Sequence, residues 1–385
     1  MKDVKFILFD EFGMIGLEML GKIDHRLKQK QYLIKRNCAL HNGNSIFLGD
    51  IFQLPPVMDT PLYSLVQLSN PLKIQGRIVW DMIDGCIILK NVNRQSDSMF
   101  GDVLNRISTG DILETDYNIL KTRSNTNLTY EERKLFDDAL NLYPTKDTVY
   151  KENLDYLTQL KSSNNQTVPI CIINAKNNCK EAENASTDQA QSLEKTVLLG
   201  VSARVMLRYN AWTENSLVNG AMGTVVDIVY REGEKSPDNM PAVILITFKD
   251  YDGPFLHDDL KFPIHVAAAI TFHKCQGLTL PKAKIDIDSE KEYFAGGSSV
   301  ALSRVKSLDG LNLQPFSKSR LMKINKSFTL KLKKGFLEEL KQKDLNHVEP
   351  GWIFEQFYKI PYVQCVWDVR NQSEEKEKTS QADLE

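Results

Sequence analysis

Cysteine is scarce and scattered. Cys38, Cys86, Cys171, Cys179, Cys275 and Cys365 form no C-x-x-C pair, which speaks against both a zinc site and a disulfide scaffold. Long apolar runs are missing as well: none approaches the roughly 18 residues of a membrane span. Neither sign of charge dominates. Forty-eight Lys plus Arg against 50 Asp plus Glu leave a net charge of −2, which excludes a strongly basic, histone-like or ribosomal-type chain but leaves room for a local basic groove. Met1 runs straight into KDVKFILFDEF with no basic region or cleavage site ahead, so no secretory signal is expected. What remains is the composition of a soluble, globular, intracellular chain, 42% hydrophobic and 25% charged. Its 385 residues suffice for two or three domains at about 100–200 residues each.

The opening stretch alternates strands and helices. KFILFD (Lys5–Asp10) is a continuous apolar run ending in acids, the look of a central parallel strand buried on both faces. Residues 14–36 read as an amphipathic helix through Ile15, Met19, Ile23 and Leu27. SIFLGD (Ser45–Asp50) and CIILK (Cys86–Lys90) read as further strands, so a parallel, doubly wound sheet is expected. Phe100 to about Leu160 reads as mainly helical, and Asn174–Asp188 as a solvated connection. Between 196 and 262, short β-branched runs separated by Gly, Asn and Pro carry the signature of a small antiparallel barrel. After Ala267 the α/β style returns with AAAITFHKCQG, KIDID and the helix-like SSVALSRVKSL. The Lys-rich segment Lys318–Lys343 reads as surface helices with a solvated face, and Gln372–Glu385 as a disordered tail.

Asp10-Glu11 lies at the C-terminal end of a buried strand, the edge where open α/β sheets bind ligands. Adjacent carboxylates there either divide labour, one holding Mg²⁺ and the other polarising a water, or simply sit at a helix N-terminus. LGDIFQLPPV (Leu48–Val57) repeats the arrangement, with Gln53 held by Leu-Pro-Pro. A glutamine so placed can hydrogen-bond a terminal phosphate and a water together.

These strings resemble superfamily 1B DNA helicases of the Pif and RecD type. FDEFGM (Phe9–Met14) is similar to the family's Walker B motif, GDIFQLPPV (Gly49–Val57) to its third and NVNRQSDSMFGDVLNRISTGD (Asn91–Asp111) to its fourth. ARVMLRYN with LVNGAMGTVVDI (Ala203–Ile228) resembles its inserted barrel. AITFHKCQGLTL (Ala269–Leu280) is similar to its fifth motif and SSVALSRVKSLDGL (Ser298–Leu311) to its sixth. The resemblance implies two RecA-like parallel-sheet domains, the first incomplete, with a small inserted antiparallel β-barrel. Implied bounds are 1–90 for the first domain, 91–195 and 263–316 for the second, 196–262 for the barrel, 317–371 for an extension and 372–385 for the tail.

The same resemblance implies an ATP-dependent 5′-to-3′ DNA helicase of genome maintenance, tied to repair, recombination and telomeres. It would be monomeric and free of membranes, act on single-stranded and forked DNA, and reside in the nucleus or a mitochondrion. Asp10 and Glu11 would bind Mg²⁺ and activate water, Gln53 would sense phosphate, and Arg94 and Arg304 would be the arginines stabilising transferred charge, a task suited to a permanently charged, forked guanidinium. Gln95, Lys274, Gln276 and Gly277 would join Asp10, Gln53 and Arg304 around ATP. Thr271, His273, Lys274, Trp212 and Asn219 would meet DNA, with Trp212 either a stacking platform or a partly buried barrel tryptophan. Cys275 has no expected nucleophilic role.

Two features depart from the family. Nothing matches the Walker A pattern G-x-x-x-x-G-K-[ST]: Gly21-Lys22 is followed by Ile23 inside a helical pattern. HDDLKFPIHVAAAITFHK passes almost directly from the barrel to the fifth motif. The first departure implies an N-terminally truncated chain with an exposed apolar sheet edge and little hydrolysis of its own. The alternatives are a non-catalytic single-stranded DNA-binding or regulatory module, or a relic of a mobile element.

Overall fold

The computed structural model describes residues 6–32, 44–83, 85–89, 94–162, 164–176, 179, 183–184, 194–249, 251–253, 263–287 and 296–343. Expectations for Asn91–Asn93, His257–Phe262 and everything after Lys343 lie outside these residues.

In the first lobe β1 (Phe6–Phe9) pairs in parallel with β2 (Asn44–Phe47). Helix α1 (Leu17–Tyr32) and helix α2 (Pro71–Asp81) pack beside them. Asn70 starts α2 by accepting from the Leu72 N–H at 2.8 Å, with Pro71 in the first turn, where its missing donor costs nothing. The two helices meet backbone to backbone: a Cβ on Gly21 would lie 2.0 Å from the Leu72 oxygen, and one on Gly76 1.9 Å from the Leu17 oxygen. The helix expected to start at Met14 begins three residues later, and its buried face is Leu17, Leu20, Gly21 and Asp24, while Met19 is exposed. A second correction concerns CIILK. Residues 86–89 form no strand: Cys86 makes an isolated bridge, its N–H donating to the Lys343 carbonyl at 2.8 Å, and 87–89 continue without regular structure.

The second lobe is a four-stranded, all-parallel sheet in the order β10-β3-β11-β12. Here β3 is Leu140–Tyr143, β10 Ala269–Thr271, β11 Ala283–Ile285 and β12 Leu311–Leu313. Strand β3 corrects the mainly helical reading of Phe100–Leu160. It is too short to carry a periodic signal, and neighbours on both sides make it a strand. The rest of that stretch is helical: α3 (Ser98–Thr109), α4 (Glu114–Lys121), α5 (Tyr130–Lys134) and α6 (Lys146–Gln159). Phe100, Val103, Leu104 and Ile107 of α3 enter the core beneath the sheet.

Inserted in this lobe are two antiparallel sheets around one apolar cluster. One is β4 (Cys171–Asn174) with β5 (Thr196–Leu199), and the other has the order β8-β7-β6-β9. Its strands are β6 (Arg204–Leu207), β7 (Met222–Val229), β8 (Val243–Phe248) and β9 (Ile264–Val266). The module therefore recruits strands from both sides of 196–262.

Two short helices carry site segments, α7 (Phe272–Cys275) and α8 (Gly297–Leu302). They are followed by α9 (Lys318–Lys323) and α10 (Phe328–Lys341). Helix α10 returns to the first lobe. Its Phe336 stacks at 5.8 Å on Trp80, which stacks at 5.6 Å on Phe12 and meets Phe47 edge-on at 5.4 Å. The Lys-rich segment is thus only partly a solvated face, since Lys333 is fully buried. Among the described residues no helix is long and apolar enough to cross a membrane.

Candidate functional site

The strand ends of the first lobe build one wall. Beyond β1, Glu11 adopts a left-handed backbone (φ 52, ψ 47) and its N–H donates to Asp10 Oδ1 at 2.8 Å. Phe12 N–H reaches the Leu48 carbonyl at 2.9 Å, tying this turn to the end of β2. Gly49 makes the close approach possible: its φ is +152 and a Cβ there would stand 2.9 Å from the Phe12 nitrogen. Asp50 then caps its own turn, accepting from Phe52 N–H at 2.8 Å, while Gln53 N–H bonds the Asp50 carbonyl at 3.2 Å. Among the described residues Gln53 Oε1 is buried without a partner.

The second lobe supplies the opposite wall. Arg304 follows α8 and is 1% exposed. Its Nε donates to the Val300 carbonyl at 2.7 Å, one terminal nitrogen to the Leu278 carbonyl at 3.4 Å, and the other to Ser303 Oγ at 2.8 Å. Burial, and next the charge of Arg94, push Arg304 below the ordinary arginine range, whereas Cys275, Glu11 and Asp50 act in the opposite sense. It remains a cation, with Arg94 and the two acids close enough to act on its charge.

Gln95, expected beside the nucleotide, bonds the backbone that flanks Arg304. Its Nε2 donates to the carbonyls of Ser303 at 3.2 Å and Val305 at 3.3 Å, on either side of Arg304. Ser96 N–H adds a bond to the Lys306 carbonyl at 3.1 Å. The start of the fourth string is thereby zipped onto the sixth, and Gln95 clamps the backbone that carries the arginine.

Contacts between the walls are direct. Gln276 Nε2 donates to Glu11 Oε2 at 2.9 Å, and Gln276 Oε1 is buried without a partner among the described residues. Gly296, at φ +106, lies so close to the third string that a Cβ would stand 2.4 Å from the Phe52 oxygen and 3.0 Å from that of Gln53. Glu11, Asp50, Gln53, Gln276, Arg94 and Arg304 are brought to one seam, with Asp10 exposed at its edge. Asp50 and Gly296 were not singled out from sequence; the Gly-Asp step before Gln53 was the available signal for the former.

Thr271 caps α7, its hydroxyl accepting from Lys274 N–H at 3.4 Å. His273 is half-buried and held below the usual histidine range, by burial first and then by Lys146. Lys274 is exposed, and Gly277 takes φ +83 in an open turn. Cys275 is buried, and burial pushes its thiol up to about 12, which excludes thiolate chemistry near neutrality. Trp212 and Asn219 lie elsewhere, on the inserted module. Trp212 packs against Tyr251 at 6.4 Å, and Asn219 is exposed, its N–H bonded to Asn210 Oδ1 at 2.8 Å.

The described residues contain no group of three or more His, Cys, Asp or Glu that could hold a metal. The adjacent carboxylates Asp10 and Glu11 are the donors present at the seam, and such a pair suits Mg²⁺, which takes one or two carboxylates and completes its shell with water and phosphate. A buried guanidinium bonded only to neutral oxygens among the described residues and two unpartnered amide oxygens fit a phosphate group with attendant water.

No family model matches the chain. Among curated proteins it is 26% identical over 340 residues to the ATP-dependent DNA helicase Pif1 of Campylobacter jejuni, covering 83% of this chain and 71% of that protein. It is 28% identical over 327 residues to the ATP-dependent DNA helicase PIF1 of Danio rerio, covering 81% of this chain but 46% of that one. The chain thus spans only about half the length of its vertebrate relatives. The crystal structure of Pif1 helicase from Candida albicans superposes with a TM-score of 0.61 at 23% identity, covering 83% of this chain and 74% of that one. Bacteroides Pif1 bound to single-stranded DNA superposes with a TM-score of 0.55 at 21% identity, covering 83% and 72%. The chain is thus similar in sequence to Pif-type DNA helicases over about four fifths of its length and shares the fold of their solved structures.

Proposed function

We propose that the chain carries the Walker B and arginine side of an ATP-dependent DNA motor that unwinds DNA in the 5′-to-3′ direction. The observation that carries this reading is the Gln276–Glu11 bond at 2.9 Å, which joins the candidate general base to the segment expected to touch DNA. Bound at the seam, ATP with Mg²⁺ would supply the phosphoanhydride and the charge neutralisation for phosphoryl transfer.

The chain's own residues divide the remaining work. Asp10 and Glu11 would hold the cation, and Glu11, oriented by Gln276, would accept the proton of an attacking water. Gln53 orients that water through its free Oε1. Arg304 and Arg94 answer the charge that develops on the transferred group, a contribution of about 10³–10⁵ in rate where an arginine finger is used. Gln95 keeps Arg304 in register. Thr271, His273 and Lys274 take the DNA backbone, so a shift of α7 on the strand is felt by Gln276 and hence by Glu11. Single-stranded and forked DNA are the proposed substrates, the working form is a monomer, and the site of action is the nucleus or a mitochondrion. A related structure supports the substrate class: Bacteroides Pif1 was crystallised with ADP-AlF3 and single-stranded DNA. DNA-stimulated ATP hydrolysis tests the reading. Because no string here matches the glycine-rich Walker A loop, this chain by itself is expected near background, and hydrolysis should appear when a Walker A segment is joined ahead of residue 1. Continued absence of hydrolysis in that chimera, folded by thermal unfolding, would remove the motor reading.

The lack of that string favours a second reading, a strand-binding or regulatory module without motor function. A fluorescence titration with labelled oligonucleotide separates the two. Salt-sensitive binding indifferent to nucleotide supports the module.

A further inference from the structure

Lys333 belongs to a lysine-rich helix, yet its side chain is wholly enclosed. Its Nζ donates to the main-chain oxygen of Gln53 at 2.7 Å and stands 5.5 Å from the centroid of the Tyr63 ring. Burial pushes the ammonium down to about 8, with the Asp50 carboxylate opposing that shift. Enclosing an ammonium is costly unless a specific acceptor is served; simple packing would be met by leucine or methionine. The acceptor it serves belongs to Gln53, whose side-chain oxygen is buried without a partner among the described residues.

The helix behind Lys333 is anchored on both lobes. On the second, Lys334 pairs with Asp111 at 2.6 Å, and Asn325 exchanges bonds with Ile112, at 3.1 Å through its Nδ2 and 3.2 Å through its Oδ1. On the first, Phe336 stacks on Trp80 at 5.8 Å and Lys343 Nζ reaches the Ile83 carbonyl at 2.6 Å. Any relative movement of the lobes must therefore load α10.

We propose that Lys333 is a positioning residue of the Asp50–Gln53 loop: by holding the Gln53 carbonyl it sets where the Gln53 amide stands, and it ties that placement to the seating of α10 across both lobes. The importance of the loop rests on the motor reading, but its rigidity can be measured without nucleotide, so failure here and failure of that reading are separable.

Hydrogen–deuterium exchange on the full chain is the test, comparing the peptide over residues 50–54 with that over α2. In Lys333→Met, which keeps the volume and removes the donor, protection of the Phe52 and Gln53 amides should fall by about tenfold, the loss expected of a charge-assisted bond. Protection in α2 should stay unchanged. A second arm needs no variant. Asp50 and Tyr63 face the ammonium, and Asp111 faces its neighbour Lys334. As pH rises through about 8 the charge assistance is lost, and protection of the loop relative to α2 should fall in the wild-type chain but not in Lys333→Met. Unchanged loop protection in the variant, a parallel loss in loop and α2, or a constant ratio across that pH range would each overturn the proposal.

Discussion

Gln276 and Glu11 are bonded at 2.9 Å although 265 residues separate them along the chain. The donor amide sits one residue past α7, and the acceptor carboxylate hangs from the only left-handed residue at the end of β1. A carboxylate bonded in this way is held in one orientation, and here the opposite lobe does the holding; the proposed role of Glu11 as proton acceptor would require that.

In the chimera carrying a Walker A segment, Glu11→Gln should abolish DNA-stimulated ATP hydrolysis, a loss of about 10²–10⁴ for removal of a general base. Gln276→Ala should lower the same rate while leaving hydrolysis without DNA much less affected. A coupled phosphate-release assay with and without oligonucleotide reads both.

Lys274 is exposed beside the half-buried His273. Lys274→Ala should weaken binding of single-stranded oligonucleotides evenly across sequences and reduce the slope of log affinity against log salt by about 1, the signature of one lost phosphate contact. Trp212→Ala should cost about 1–3 kcal/mol of binding if a base stacks there, and leave affinity unchanged if its packing on Tyr251 is its whole role. Fluorescence anisotropy over a salt series measures each.

Gly76→Ala places a methyl group 1.9 Å from the Leu17 carbonyl oxygen. Backbone rather than a flexible side chain is in the way, so α1 and α2 must separate. A stability loss of about 1–3 kcal/mol is expected from such overpacking, read by urea unfolding followed through Trp80.

His265 should make the inserted module sensitive to acid. Its Nδ1 lies 2.7 Å from an Arg208 guanidinium nitrogen, and burial, followed by the charges of Arg208 and Lys274, pushes it from 6.5 down to about 3. The neutral ring therefore accepts from Arg208. Because the folded value is depressed, the unfolded chain binds this proton first as pH falls below about 6.5, and stability is lost progressively from there towards pH 3. His265→Asn keeps an acceptor but cannot titrate, so its stability should fall less steeply than wild type across that window in chemical denaturation at stepped pH.

Much of the fold could be read from local strings. KFILFD and SIFLGD announce parallel strands, and these pair as expected, but β1 is not covered on both faces as its apolar run suggested, since Leu8 is 62% exposed. SSVALSRVKSL announces a helix, and the β-branched runs after Thr196 announce antiparallel strands. Where local signal was short, reading failed: LNLY at β3 carries only four residues, and CIILK has strand composition but makes only an isolated bridge at Cys86. The site was legible in the same uneven way. Glu11, Gln53, Arg94 and Arg304 drew notice through their strings, whereas no string shows that Gln95 bonds the carbonyls of Ser303 and Val305 on either side of the arginine.

Taken alone, the order of residues determined which chemistries this protein holds: acids at a strand end, a glutamine braced by prolines, arginines in polar turns, and no cradle string for phosphates. Those are properties of neighbours along the chain. Which groups face one another was decided only by tertiary structure. A lysine on a polar helix became a buried donor to Gln53, and a glutamine in one lobe became the orienting partner of a carboxylate in the other. Burial and hydrogen-bond geometry depend on surfaces contributed from hundreds of residues away, and no local pattern encodes them.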